Sequence, residues 1–236
     1  MVAALAGATL IAFRKPSERL QSDVQHFAAG IIFGAAALEL LPPIRQQAPI
    51  VAITGFLVGV VTMAASRHLS QKIDDERNDG ARASGLIVAA AIDVLIDGVI
   101  LGATFTLGAR QGNLLTIALA LGLLFLGLSV ATTLRQAGIP PARIIAITGA
   151  IVLAMPIGAA LGATTLRDAT APVVATVLAF GAVVLMYLVT EELLVRAHRV
   201  KSSPWAMPLF FAAFLLYRKR RLQAVLRTVP LARDDK

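Results

Sequence analysis

The chain has 236 residues, a formal net charge of +8, no cysteine, a mean hydropathy of +0.77 and 57% apolar residues. A soluble globular domain is about 45–50% apolar, so an ordinary soluble domain is excluded, as are disulfides, thiolate metal sites and thiol chemistry. The basic residues lie mainly in short stretches beside apolar blocks, the distribution of a membrane protein and not of a nucleic-acid binder.

In chain order the apolar blocks are Val2–Phe13, Val24–Ile44, Pro49–Ser66, Ser84–Gly108, Asn113–Leu134, Ile144–Ala163, Ala171–Val195 and Trp205–Tyr217. They are continuous, not alternating, which predicts helices and argues against a barrel. The expected fold is all-α: a polytopic helical bundle in the lipid bilayer with about eight transmembrane helices. The six inner blocks are long enough to cross a hydrocarbon core of about 30 Å. The first and last would cover only about 20 Å as helix. The start, MVAALAGATLIAFRKP, lacks a basic stretch before its apolar run, so it reads as a membrane segment and not as a signal peptide. No linker divides the chain, so residues 1–236 are read as one transmembrane domain. Residues 67–83 form a mixed-charge cytoplasmic loop in this reading, and residues 218–236 a basic tail. The loop is expected to be solvated, with metal sensing through His68, Asp74, Asp75 and Glu76 as the alternative.

Loops 1–2, 3–4, 5–6 and 7–8 hold twelve Lys and Arg, against Arg45, Arg110 and Arg167 in the other three. This asymmetry places the first set in the cytoplasm. The tail conflicts with it. YRKRRLQAVLRTVPLARDDK carries seven basic residues, yet it would lie outside if the eighth segment crosses.

The fourth segment contains AIDVLIDGVILGA, with Asp93 and Asp97 among aliphatic residues. An Asp at the middle of a membrane helix costs about 2.5–3.5 kcal/mol on insertion scales. Four apart, the two share one helix face. They repel unless a proton or a cation lies between them, the alternative being hydrogen bonds to neighbouring helices. Glu39 in the second segment, and Glu191 and Glu192 near the cytoplasmic end of the seventh, are further candidates. For Glu39 the alternative is an acid reaching to the outer face. For Glu191 and Glu192 it is an interfacial ion pair with Arg196 or Arg199. His26 and His198 read as interfacial residues, and Ser129, Thr132 and Thr133 as a hydroxyl face used in helix packing. Gly98, Gly102 and Gly127 are expected to let the fourth and fifth segments approach closely, and Pro156 to bend the sixth. No segment interior contains Lys or Arg, so a cation path fits and an anion path does not. No motif of hydrolysis or group transfer is present, so no enzyme is expected.

At these residues the chain resembles the ZIP family of zinc- and iron-importing permeases, which have eight membrane helices. HFAAGIIFGAAALELLP is similar to the family's second helix, with Glu39 where a His is common. IDVLIDGVILGA resembles the fourth-helix motif H-N-x-P-D/E-G-L-A-x-G: Asp97–Gly98 match its acid–Gly step, and Asp93 stands at its His. VLMYLVTEELLVRAHR resembles the seventh helix, with Arg196 where another acid is frequent. The fifth helix departs, because Gly122 and Leu126 stand at ligand positions of H/Q-x-x-P-E-G. The resemblance implies transport of a divalent metal ion (Zn, Fe, Mn or Mg) past Asp93 and Asp97, with Glu39, Glu191 and Glu192 as further metal ligands. With no Cys or core His, the expected site is oxygen-only, which suits Mg, Mn or Ca better than it selects Zn. Two rival expectations are a ZIP-like binding or sensing protein that no longer transports, and a proton-coupled carrier of another cation. The expected partners are the bilayer and the metal ion, with monomer and homodimer both open. The compact loops point to a prokaryotic cytoplasmic membrane.

Overall fold

A computed structural model describes residues 4–7, 9, 18–75, 79–195 and 205–228. All regular structure among them is helical. Helix α1 (the second apolar segment) runs Glu18–Ala35, widens into a π-helical stretch Ala36–Leu40 and closes as Leu41–Ile44. Then come α2 (Pro49–Asp75), α3 (Asp79–Thr106) and α4 (Ala109–Gln136). Helix α5 has two halves, Pro141–Val152 and Ala154–Thr165, and α6 (Ala171–Tyr187) ends in a second π-helical stretch, Leu188–Leu193. The last helix is α7 (Ala206–Thr228).

Local chemistry sets these boundaries. Gly108 has φ +139° between α3 and α4, and Gly138 has φ +77° after α4, both backbone states that glycine reaches without strain. Prolines open α2, α5 and α6 within their first two positions, where no intrahelical N–H is needed. Pro156, expected to bend this segment, lies in the first turn of the second half of α5. It cannot donate to the carbonyl four residues back, and the helix is interrupted at Leu153.

Two stretches are more helical than expected. The connection over 67–83 is helix up to Asp75 and again from Asp79; it has no proline, and Arg67, Gln71, Lys72, Ala81, Arg82 and Ala83 are good helix formers. The eighth segment likewise continues through Arg218–Arg221 to Thr228.

Among the described residues, six helices are long and apolar enough to span a bilayer, at 22–44, 49–68, 84–106, 109–136, 141–165 and 171–191. Only 17% of the α2 span is buried, and Ile50, Ile53, Leu57, Val58 and Val61 face outward. An apolar face of that extent belongs in lipid. The chain is a multi-pass membrane protein.

Three helix pairs meet through glycines four residues apart, and each pair runs parallel. Gly30 and Gly34 of α1 lie on Phe210 and Tyr217 of α7, while Gly55 and Gly59 of α2 lie on Thr176 and Val183 of α6. Gly98 and Gly102 of α3 lie against the second half of α5, whose own Gly158 and Gly162 face Leu95 and Val99. Without hydrophobic drive between helices in lipid, such small residues permit close backbone packing. The sequence expectation for the glycines is corrected here. Gly98 and Gly102 bring α3 to α5, not to α4, and Gly127 of α4 sits on the backbone of Ala4. Helices α3 and α4 do pack together.

Candidate cation site

Between α1, α3, α4 and α6 lies a cavity of about 50 Å³. Asp93 and Asp97 project into it from one face of α3, as their spacing of four requires. Asp97 is buried, at 7% exposure, and Asp93 is half-buried. Opposite them, α4 contributes Gly122, Leu126 and Ser129, and α1 contributes Gln25. Leu188 and Leu193, at the two ends of the π-helical stretch of α6, close the wall. The two fifth-helix positions that depart from the resemblance, Gly122 and Leu126, therefore both face the aspartates. A Cβ on Gly122 would find its nearest neighbours, Ile32 and Leu188, at 3.6 and 3.7 Å, so the wall there is open and not pressed shut.

The glutamates sit apart from this cavity. Glu39 lies on the π-helical stretch of α1, about 21 Å along the helix from Gln25 at 1.5 Å per residue. Pro42 and Pro43 follow it and cannot donate to the preceding turn, and the Leu41 N–H reaches the Ala36 carbonyl oxygen five residues back. Glu39 is fully buried and pairs with Arg221 of α7, Nε to Oε1 3.1 Å. Neither atom of that pair has hydrogen-bond geometry, and Glu39 Oε2 has no hydrogen-bond donor among the described residues. The contact is an ion pair held by charge and proximity. Glu39, a candidate ligand from the sequence with an acid reaching to the outer face as the alternative, makes a buried contact with Arg221 of the tail.

Glu191 occupies the π-helical stretch of α6 and pairs with Arg67 of α2 at 3.3 Å, both side chains well exposed. The expected alternative partners Arg196 and Arg199, together with His198, lie outside the described residues, as do Glu76 and the side chains of Glu192, Asp74 and Asp75. Among the described residues, no three His, Cys, Asp or Glu side chains converge. Any helper for the aspartates must therefore be a neutral donor or a group beyond this set.

His26 departs from expectation as well. It is fully buried, and Nδ1–H donates to the Ser22 carbonyl oxygen at 2.9 Å, one turn back. Of the hydroxyl face on α4, only Ser129 reaches the cavity; Thr132 and Thr133 donate to the carbonyl oxygens of Leu128 and Ser129 at 2.7 and 3.2 Å. The residue that sequence reasoning missed is Gln25. In SDVQHF it reads as the polar start of a membrane segment, and no pattern marks a neutral amide as a site residue.

Compared with protein-family models and with curated proteins, the chain matches none.

Proposed function

We propose that the protein transports divalent metal cations across a membrane through the helical bundle, with Asp93 and Asp97 as the intramembrane binding pair. The observation that carries this reading is the cavity: two carboxylates on one face of α3 line a small, largely apolar-walled space inside a multi-pass bundle. Intramembrane acids are costly and mark ion or proton paths. Two carboxylates match the charge of one divalent cation, and no Lys or Arg is among the described residues that line the space. The resemblance of AIDVLIDGVILGA to the ZIP fourth-helix motif supports the same reading and suggests an eight-helix, ZIP-like permease of a prokaryotic cytoplasmic membrane. In that fold α7 is the eighth crossing, and its parallel course beside α1 agrees with this.

Proteoliposomes loaded with a metal-sensitive dye test the proposal. The wild-type protein should admit at least one of Zn²⁺, Fe²⁺, Mn²⁺ or Mg²⁺, and Asp97→Ala should not; equal uptake by the two would defeat it. One observation favours a second reading, that of a ZIP-like binding protein without transport: Gly122 and Leu126 leave the α4 wall of the cavity without carboxylates or imidazoles. That reading requires saturable cation binding with uptake no faster than empty liposomes.

A further inference from the structure

Gln25 extends the proposed cation site. It is only 5% exposed and it lines the cavity from α1. A largely buried amide is tolerated where polar groups or water meet it. Around it the cavity wall is largely aliphatic and aromatic, including Val94, Phe125, Leu128 and Leu188, none of which has a side-chain polar atom to give. The polar groups that share the space are the carboxylates of Asp93 and Asp97 and the Ser129 hydroxyl.

We propose that the Gln25 side-chain carbonyl is a third oxygen donor to the cation held by Asp93 and Asp97, and that it sets a preference for hard, oxygen-seeking divalent ions. The inference rests on the transport reading given above. The lining residues supply two carboxylates, an amide and a hydroxyl, with no imidazole or sulfur. Such a donor set suits Mg²⁺ or Mn²⁺, whereas Zn²⁺ gains from nitrogen and sulfur ligands. A space of about 50 Å³ admits roughly three waters. Mg²⁺ in particular gives up its water reluctantly and keeps several water ligands. A neutral amide adds no charge to the two carboxylates. A third carboxylate would leave a net negative site that holds its ion more tightly and releases it more slowly. Because Gln25 is on α1 and the aspartates are on α3, the bound ion would bridge two helices that meet at the cavity.

The test uses the full chain, in detergent for titration of Mn²⁺ and Zn²⁺ and in liposomes for uptake of each. Gln25→Leu should weaken Mn²⁺ binding about tenfold, the loss of one neutral ligand. Gln25→His should move the Zn²⁺-to-Mn²⁺ preference toward zinc by about tenfold or more, and Gln25→Glu should tighten Mn²⁺ binding while slowing its uptake. If Asp97→Asn abolishes Mn²⁺ binding while all three Gln25 variants keep wild-type affinity and preference, the role of Gln25 is overturned and the transport reading stands. If Asp97→Asn binds and transports like wild type, the transport reading itself falls. Should Gln25→Leu fail to fold, the preference measured with Gln25→His decides alone.

Discussion

At the scale of single residues, two carboxylate environments in this bundle call for opposite responses to mutation. Asp93 and Asp97 face a cavity, so their substitution should alter binding more than folding. A charge-assisted contact is worth about 1.5–3 kcal/mol, so Asp97→Asn should lower divalent-cation affinity about 10- to 150-fold, as measured by titration of the purified protein. Glu39 is different: its side chain has no exposure, and it is ion-paired with Arg221, whose side chain is 30% exposed. Removing one member of a buried pair costs about 3–5 kcal/mol, because the other charge remains. The loss is asymmetric here. Arg221→Met strands a carboxylate that cannot reach water, whereas Glu39→Gln leaves a guanidinium that can. Melting temperatures in detergent should therefore fall further for Arg221→Met than for Glu39→Gln, and the double variant should recover much of the loss; the reverse order would show that Glu39 is stabilised by something else. The exposed Arg67–Glu191 pair should matter little, since exposed pairs contribute about 0–1 kcal/mol.

At the scale of elements, the α3–α5 contact fixes where the aspartates point. A Cβ on Gly98, the residue after Asp97, would lie 2.4 Å from the Met155 carbonyl oxygen, and one on Gly158 would lie 2.2 Å from the Leu95 carbonyl oxygen. Backbone cannot yield as a flexible side chain can, and overpacking costs about 1–3 kcal/mol. Gly98→Ala and Gly158→Ala should each lower thermal stability and cation affinity together. Gly122→Ala, with its nearest neighbour at 3.6 Å, should leave the melting temperature within about 2 °C, the shift expected of a change near 0.5 kcal/mol in a chain of this size. Equal effects at Gly98 and Gly122 would contradict the packing described.

The spans were legible in the sequence because hydropathy in blocks of about 20 residues has one structural solution in lipid. The glycine pairs were legible as close-approach sites, but their partners were not, because GxxxG marks a face and says nothing about which helix covers it. The π-helical stretches were also hidden. One is tied to Pro42 and Pro43; the other, Leu188–Leu193, contains no proline. The first carries Glu39 and the second Glu191 and Glu192. Asp93 and Asp97 could be read directly, since charge within an apolar run has few explanations. Gln25 could not, because an uncharged amide at the start of a segment resembles an interface.

At the scale of the whole molecule, orientation in the membrane is less determined than the loops alone suggest. Helix α7 runs parallel to α1, and Arg221 meets Glu39 six residues before Arg45. The tail thus begins on the side of Arg45, not on the side of the loop between α4 and α5. With the seven basic residues of the tail added to the three on that side, the two faces carry ten and twelve, and the asymmetry that orients a chain nearly vanishes. The absence of cysteine makes this testable with single introduced thiols. Cysteines at Gln47 and Gln223 should be labelled from one side of the membrane, and a cysteine at Gly138 from the other; labelling of Gln223 together with Gly138 would contradict the arrangement. The most direct test of a divalent cation bound at Asp93 and Asp97 is an experimental structure of the full chain with saturating Mn²⁺, using anomalous scattering to identify the ion. The account predicts one manganese peak within coordination distance, roughly 2.0–2.6 Å, of Asp93 or Asp97 carboxylate oxygens, in the space between α1, α3, α4 and α6. A cavity without the ion under saturation, or manganese bound only at surface carboxylates, would contradict it.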